Sequence, residues 1–331
     1  MKAKVARLKA IAKSEAGNNP RLFDTVIKEA LHRDILSCMS KSGLASDICF
    51  QGGTALRLCY GNNRYSEDLD FVSSKKVDEE KIAEFKRLIS EQIVAEYGVE
   101  AEFKNPKQTS GNSNASGIDV KRWSIKIELG KTIGGKKTKQ KIHIEIAEGI
   151  PALDAQPRAV RALVNIPEIS TPPIIMMVSS MEEILADKVV AIMGRPYLKA
   201  RDIWDIKFLR DNGVKLNSSW VVQKVDSYAM GLSLEGIKDK LNQKIIEIAQ
   251  PKSADKFKAE MSRFLGQEEA KNWIGAEYGT ESILMEVCEF LEQAAVVIAE
   301  SGTTEKTTKP DLANSISTWR DKHTTKKDIE P

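Results

Sequence analysis

The stretch that decides the fold is residues 50–72, which read FQGGTALRLCYGNNRYSEDLDFV. An apolar run leads into Gly52 and Gly53, and a second apolar run contains Asp68 and Asp70 on either side of one leucine. Residues two apart on a β-strand point to the same face, so both carboxylates are expected on one side of a sheet. Neighbouring carboxylates repel each other unless a cation lies between them. The spacing therefore predicts a divalent-cation site, and Mg²⁺ prefers such oxygen ligands.

The turn formed by Gly52, Gly53 and Thr54 is suited to binding phosphate. Glycine lets the backbone approach an anion closely, and the start of the following helix offers free N–H groups and a positive dipole end. A phosphate-binding turn joined by one short helix to a carboxylate pair predicts a nucleotide site. In the alternative, Asp68 and Asp70 flank a solvated surface turn, which the apolar residues around them disfavour.

This stretch resembles the DNA-polymerase-β-like nucleotidyltransferases, and within them the AbiEii/AbiGii toxins of type IV toxin–antitoxin systems, which include the MenT toxins. The matching sequence is GGTALR at 52–57, YG at 60–61 and RYSEDLDF at 64–71. The resemblance implies an α/β (α+β) fold, in which a polymerase-β-like nucleotidyltransferase domain with a small mixed β-sheet precedes a helical C-terminal domain. It also implies a set of nucleotide-binding residues, namely Gly52, Gly53, Thr54, Arg57, Arg64 and Ser66.

Length and composition predict a globular protein with one large or two smaller domains. The 331 residues are 41% hydrophobic, which is enough for a core and excludes a disordered chain. The net charge of +3 is too small for the whole molecule to attract nucleic acid, so such contact would need a local basic patch. Four cysteines without a Cys-x-x-Cys spacing predict free thiols in a reducing cytoplasm rather than a zinc site. No apolar stretch is long enough to span a membrane, so a cytoplasmic protein without a membrane partner is expected.

Hydrophobic periodicity predicts helices and strands on both sides of this centre. The predicted helices are 22–39 with Asn19 as its cap, 78–97, 215–230, 233–249, 253–265 and 281–300. The predicted strands are 47–51, 120–129 and 141–147. The predicted irregular segments are a polar loop at 104–117, a basic hairpin tip at 130–139 and the proline-rich residues 151–179. The tip could contact phosphates or simply be solvated.

These segments divide the chain into three predicted parts. Residues 1–170 form the nucleotidyltransferase domain, and 171–300 form a helical domain that completes the active-site cleft. Residues 301–331 are rich in Thr and Lys with few apolar residues, which predicts a flexible tail.

A third carboxylate is expected beside the pair, because the resembling family needs one on a neighbouring strand. Glu128 and Glu145 are both candidates on predicted strands. We choose Glu145, because its segment KIHIEIAEGIP at 141–151 is similar to the second motif of the family, although many members carry aspartate there. The prediction is that Asp68, Asp70 and Glu145 hold two Mg²⁺ ions, or Mn²⁺, that clamp the attacking and leaving oxygens of an in-line displacement.

The second half of the predicted site lies on two helical segments further along the chain. Residues 180–193, SMEEILADKVVAIM, open with the capping-box pattern of Ser180 and Glu183. Residues 199–209 read KARDIWDIKFL. Both segments resemble the third and fourth motifs of the AbiEii toxins.

By this resemblance Lys188 is catalytic and binds the nucleotide, and three further residues belong to the site, namely Arg201, Asp202 and Asp205. A lysine can neutralise a triphosphate oxygen or the leaving pyrophosphate. The two aspartates share one helical face and could orient Lys188 and Arg201 or position the acceptor hydroxyl. A row of salt bridges on a solvated helix is the alternative interpretation.

Together these predictions describe a Mg²⁺-dependent nucleotidyltransferase with an NTP as substrate. The resemblance implies a toxin that adds nucleotides to RNA and blocks translation, with the tRNA 3′ end as acceptor for some members and an antitoxin as protein partner. Two alternatives stay open. One is transfer to a protein, as in AMPylation, or to a small molecule, and the other is a nucleotide-binding module without catalysis.

Overall fold

A mixed β-sheet forms the centre of the described part of the chain. The computed structural model describes residues 3–106, 119–131, 137–161 and 173–300. Its strands are β1 (Cys49–Gln51), β2 (Leu69–Ser73), β3 (Ala101–Lys104), β4 (Asp119–Lys131), β5 (Lys137–Glu148), β6 (Ala155–Ala159) and β7 (Ile175–Ser179). Their order across the sheet is β3-β4-β5-β2-β1-β7-β6. β2 runs parallel to β5, β1 runs parallel to β7, and the other pairs are antiparallel, so the predicted mixed sheet is confirmed.

The helices of the described residues fall into an N-terminal and a C-terminal group. The helices before and within the sheet are α1 (Ala3–Ala16), α2 (Pro20–Lys41), α3 (Gly52–Ala55) and α4 (Glu79–Tyr97). Those after it are α5 (Met181–Gly194), α6 (Ala200–Asp211), α7 (Ser218–Ser227), α8 (Leu234–Ile248), α9 (Lys252–Met261), α10 (Gln267–Glu269) and α11 (Gly279–Glu300). α5 packs on α6, α7 and α8, while α11 packs on α6 to α9, which confirms the predicted helical C-terminal part.

Helix starts follow the capping rules that the sequence indicates. The side chain of Asn19 accepts hydrogen bonds from the first backbone N–H groups of α2, and Pro20 occupies the first helical position. Asp78 caps α4 and Ser180 caps α5 in the same way. None of the described helices is both long and apolar enough to cross a membrane.

The prediction that residues 151–179 are irregular is wrong, because they contain β6 and β7. β6 can contain Pro157 because it is the edge strand of the sheet. On the outer side of an edge strand no backbone N–H is needed for pairing with another strand. β7 buries Met176 and Val178 against β1, a strand more than a hundred residues earlier, and local sequence does not reveal that partner.

Four other predictions fall wholly or partly outside the described residues. They are the polar loop at 104–117, the tip at 130–139, the domain boundary at 170/171 and the tail at 301–331. β7 follows the predicted boundary but lies within the same sheet as β1.

The core of the sheet is apolar, and the site is built on it. Phe50 of β1 and Phe71 of β2 are buried and stack with ring centroids 5.1 Å apart. All four cysteines are free and buried, as predicted, which fits their role as small apolar core residues.

Replacing Phe71 by alanine is expected to destabilise the protein by about 3–5 kcal/mol, because the residue is 1% exposed and its removal leaves a cavity under the strand that carries Asp70. Urea unfolding followed by circular dichroism measures this change. Ile246→Ala on the exposed side of α8 is the control, with an expected loss below about 1 kcal/mol. Equal losses in the two variants would contradict the placement of Phe71 in the core.

Candidate active site

The parallel register of β2 and β5 places the predicted acidic residues together. Asp70 pairs directly with Glu145 on β5 and with Gln51 on β1. Side chains at paired positions of neighbouring strands share one face of the sheet. Asp68 lies just before β2 rather than within it, and one of its carboxylate oxygens accepts the backbone N–H of His143 at 3.4 Å. Asp68 and Asp70 therefore lie at the start of β2, and Glu145 lies beside Asp70 within the neighbouring strand β5.

The electrostatics of Asp70 fit a cation site. Burial, followed by the neighbouring carboxylates of Glu145 and Asp68, raises the pKa of Asp70 to about 6, although the charges of Lys188 and Arg201 oppose this shift. A divalent cation would relieve the repulsion, and carboxylate oxygens are ligands that Mg²⁺ prefers.

The donors present fit Mg²⁺ in chemistry, but their arrangement does not yet form a metal centre. Within the described residues, no three Asp, Glu, His or Cys side chains lie close enough to hold an ion jointly. The carboxylate of Glu145 instead pairs with Arg122, with Nη2 and Oε1 2.6 Å apart. The metal-ligand roles of Asp68, Asp70 and Glu145 stay predictions.

The two glycines after β1 serve different contacts. Gly52 begins α3 with φ +78°, a conformation that favours glycine, and a Cβ there would lie 2.8 Å from Oδ2 of Asp70. Only glycine lets the backbone pass so close to that carboxylate. A Cβ on Gly53 would lie 2.0 Å from Nη2 of Arg64, so this glycine makes room for the guanidinium group.

Thr54 and Ser66 hold the start of α3 against the segment that precedes β2. Both are buried, and their hydroxyl oxygens are 2.8 Å apart. Thr54 also donates a hydrogen bond to the backbone carbonyl of Asp68. These predicted nucleotide-binding residues thus fix the position of Asp68 through hydrogen bonds within the protein.

The helical half of the site centres on Lys188 of α5. Its Nζ lies 2.9 Å from Oδ1 of Asp202 and 2.7 Å from Oδ2 of Asp205, both on α6. Burial lowers the pKa of Lys188, and the charge of Asp205 opposes that shift. The predicted association of these three residues is therefore present in the structure.

Arg64 and Asp205 form a buried pair that joins the two halves of the site. The guanidinium Nε and Nη2 each lie 2.6 Å from one carboxylate oxygen, and the two side chains are 2% and 0% exposed. Burial by itself would raise the pKa of Asp205, but the charges of Arg64 and Lys188 outweigh it and hold that pKa at about 2. Arg64 is predicted to bind the nucleotide, but its guanidinium group points toward α6 and contacts Asp205.

The other two predicted arginines are also held by protein groups. Arg57 donates to Glu29 at 2.8 Å and stacks over the ring of Tyr65 at 4.2 Å. Arg201 lies over the ring of Phe264 at 4.7 Å, and its guanidinium is 3.6 Å from Glu260.

One cavity of about 400 Å³ lies between the sheet and α5. Four predicted site residues line it, namely Gly52, Asp70, Glu145 and Lys188. The remaining predicted residues do not line it, namely Gly53, Thr54, Arg57, Arg64, Ser66, Asp68, Arg201, Asp202 and Asp205. The carboxylates of Asp70 and Glu145 and the ammonium group of Lys188 thus line one cavity.

Sequence reasoning did not identify several other residues that line the cavity. Arg195 follows α5, forms an ion pair with Asp202, and interacts electrostatically with Asp70. The sequence does contain a signal for it. Arg195 stands in Gly-Arg-Pro directly after the predicted helical segment 180–193, where the proline ends the helix, so the arginine has no carboxylate one helical turn further on to pair with. The other unpredicted lining residues with polar side chains are Gln51, Asp187 and Tyr228.

A buried lysine from α7 fixes the wall of the cavity. Lys224 is 2% exposed, and its Nζ lies 2.8 Å from Glu183 and 2.9 Å from Asp187. The carboxylate of Glu183 also accepts the backbone N–H groups of Leu153 and Asp154. The Ser180 cap of the predicted capping box is therefore confirmed, but the Glu183 carboxylate binds a distant loop and Lys224 instead of the cap.

The chain matches the family described as nucleotidyl transferase AbiEii toxin, type IV TA system, over residues 34–281. No curated protein matches it significantly. The solved structures that are similar to it include the following two. MenT4, a nucleotidyltransferase toxin from Mycobacterium tuberculosis, is 15% identical with a TM-score of 0.49, and the match covers 94% of this chain and 98% of MenT4. JHP933 from Helicobacter pylori is 20% identical with a TM-score of 0.41, and the match covers 84% and 92% of the two chains. At these TM-scores neither similarity supports a statement about function.

Replacing Asp205 by alanine is expected to destabilise the protein by about 3–5 kcal/mol, because it leaves the buried charge of Arg64 without its carboxylate partner and removes one of the two carboxylates that contact Lys188. Thermal unfolding measures the change. Asp211→Ala is the control, since that carboxylate pairs with Lys207 at the exposed end of α6 and its loss should change stability by less than about 1 kcal/mol. Unchanged stability in Asp205→Ala would show that the buried pair contributes nothing to the fold.

A buried histidine is expected to make stability depend on pH. His32 is fully buried, its Nε2 lies 2.9 Å from the carbonyl oxygen of Glu67, and burial lowers its pKa from 6.5 to about 4. The unfolded chain therefore binds a proton below pH 6.5 that the folded chain does not bind until about pH 4, so stability falls as pH falls through this window. The difference corresponds to about 3 kcal/mol. Unfolding free energies of the native chain and His32→Gln across this window measure it, and parallel pH curves would contradict it.

Proposed function

The chain belongs to the AbiEii family of nucleotidyltransferase toxins from type IV toxin–antitoxin systems, and on this basis we propose that it transfers a nucleotide from an NTP to the 3′ end of an RNA, with tRNA as the favoured acceptor. Such transfer would block translation in the cytoplasm until an antitoxin, the partner that this family implies, counteracts the enzyme. The observation that carries the proposal is the single cavity lined by Asp70, Glu145 and Lys188.

The acidic side of the cavity is suited to holding Mg²⁺ with the substrate phosphates. Asp70 lies in the cavity wall, Glu145 is its register neighbour, and Asp68 is two residues earlier. These three carboxylates would hold Mg²⁺, which when bound supplies charge stabilisation for the attacking and leaving oxygens. Because Gly52 lies so close to Asp70, the backbone N–H groups at the start of α3 lie beside the same carboxylate. Phosphate oxygens can be bound there.

The basic side of the cavity is suited to the triphosphate. Lys188 and Arg195 both line it, and both are anchored on Asp202. Fixed cations stabilise charge that develops on a departing pyrophosphate without reorganising during the reaction. We assign Asp202 and Asp205 the role of orienting Lys188, because their carboxylates contact its ammonium group directly.

The Asp70→Asn variant is expected to lose nucleotide transfer by at least about a thousandfold, because it removes a charge from the proposed metal site. Its thermal stability should be unchanged or higher, since the raised pKa of Asp70 shows that its charge is unfavourable in the metal-free fold. Transfer of labelled nucleotide and thermal unfolding measure the two effects. The native chain with EDTA is the matched control and should lose activity similarly. A variant that retains transfer would refute the metal role of Asp70.

The acceptor is tested by incubating the protein with each labelled NTP, Mg²⁺ and either purified tRNA or total cell protein. Label in the tRNA that is lost in Asp70→Asn supports the proposal. Label in a protein instead would show an AMPylation-type activity. A chain that labels neither fraction with any of the four NTPs would favour a nucleotide-binding module without catalysis.

A further inference from the structure

A second cleft of about 210 Å³ is lined in part by residues that closely follow, along the chain, a residue of the active-site cavity. The segment at 195–199 separates the two, since Arg195 lines the cavity and Tyr197 lines the cleft. Two residues of extended chain span at most about 7 Å. The backbone of Tyr197 in the cleft therefore lies within about 7 Å of that of Arg195 in the cavity wall. Its opposite wall is the start of α9, with Lys252, Lys256 and Phe257.

The cleft presents an exposed aromatic ring. Tyr197 is 59% exposed, the highest value among the large hydrophobic side chains that the structure describes. The next in rank is Ile175 at 53%. A large ring held at the surface by the preceding proline, outside the core, offers a flat face on which a nucleic-acid base can stack.

The charges around this ring are unbalanced toward positive. Lys252 and Lys256 are exposed, and neither forms an ion pair with any described residue. Lys199, on the same segment as Tyr197, is half-buried. Its pKa is lowered by burial and then by the nearby cations Arg195, Arg201 and Lys188, while the charge of Glu260 opposes this shift.

The two carboxylates in the cleft are already bound within the protein. Glu260 accepts the backbone N–H of Ala200 at 3.0 Å and lies 3.6 Å from Arg201. Glu247 accepts a hydrogen bond from Lys244 at 2.8 Å. They therefore do not neutralise Lys252 and Lys256.

We propose that this cleft binds the single-stranded 3′ end of the acceptor RNA, with one base stacked on Tyr197 and the backbone phosphates on Lys252 and Lys256. The inference rests on the proposed function, in which the acceptor is RNA, and it names the surface that receives it. An exposed ring flanked by unpaired lysines is the arrangement by which proteins bind single strands without reading their sequence. Its position beside Arg195 leads the strand toward the cavity that holds Asp70 and Lys188.

The experiment measures RNA binding and transfer separately with the full chain. The binding probe is a short fluorescent single-stranded RNA with a free 3′ hydroxyl, titrated without NTP. The variants are Tyr197→Ala, Tyr197→Phe and the double change Lys252→Ala with Lys256→Ala. Lys215→Ala is the matched control, because this exposed lysine follows the far end of α6, roughly 18 Å along the helix axis from Lys199.

Tyr197→Ala is expected to weaken RNA binding by at least about fivefold, as loss of one stacked base predicts, while Tyr197→Phe and Lys215→Ala bind like the native chain. The double lysine variant should reduce the slope of log K against log salt by about 1.4, the value for two single-strand phosphate contacts. In transfer assays, Tyr197→Ala should raise KM for RNA and leave KM for the NTP unchanged.

Three results would overturn the proposal. If Tyr197→Ala raises KM for the NTP alone, the ring binds the base of the incoming nucleotide. If it leaves RNA binding intact but abolishes neutralisation by the antitoxin, the cleft belongs to a protein partner. If the native chain binds no RNA, the surface has no such role. A native chain that binds RNA through Tyr197 yet transfers no nucleotide to it would refute the proposed function while supporting this surface.

Discussion

The buried pair of Arg64 and Asp205 is the interaction on which the geometry of the site depends. Arg64 belongs to the segment just before β2, and Asp205 belongs to α6, so their bidentate contact joins the sheet to the C-terminal helices. The same segment is hydrogen-bonded through Tyr65 to the backbone of Phe264, which adds a second tie between the two halves. The glycine at position 53 leaves space for the guanidinium group, and Lys188 shares the carboxylate of Asp205. This ion pair thus joins α6, whose carboxylates contact Lys188, to the segment that leads into β2.

The active-site charges are stabilised by different partners on the two sides of the cavity. The cations Lys188 and Arg195 are paired with carboxylates of α6, so the basic side is already balanced without a ligand. The acidic side is not balanced, since Asp70 lies beside two other carboxylates and its pKa is raised to about 6. This imbalance fits the proposed binding of a metal–nucleotide complex on the acidic side.

The segment that follows α5 connects catalysis to the surface. Within five residues it places Arg195 in the cavity, Tyr197 in the neighbouring cleft and Lys199 at the start of α6. The carboxylates that line this cleft bind backbone and side-chain groups of the same region, which keeps its outer face positive. The C-terminal helices therefore provide the second wall of the cavity and the surface proposed for the acceptor, while the sheet provides the carboxylates.

The sequence by itself determined the chemistry of the site and the local elements that carry it. The Asp-Leu-Asp spacing, the glycine turn, the Asn19 cap and the Ser180 cap depend on neighbours within a few positions, where periodicity and capping act. Only the tertiary structure decided which of these residues face the cavity, that Arg64 is turned toward Asp205, and that Lys224 reaches Glu183. Only the tertiary structure also shows that residues 155–159 and 175–179 are strands, because β7 pairs with β1, which lies far earlier in the chain. Long-range pairing and burial depend on partners that a local pattern does not contain, and this is why local sequence predicted the reactive groups but not their orientation.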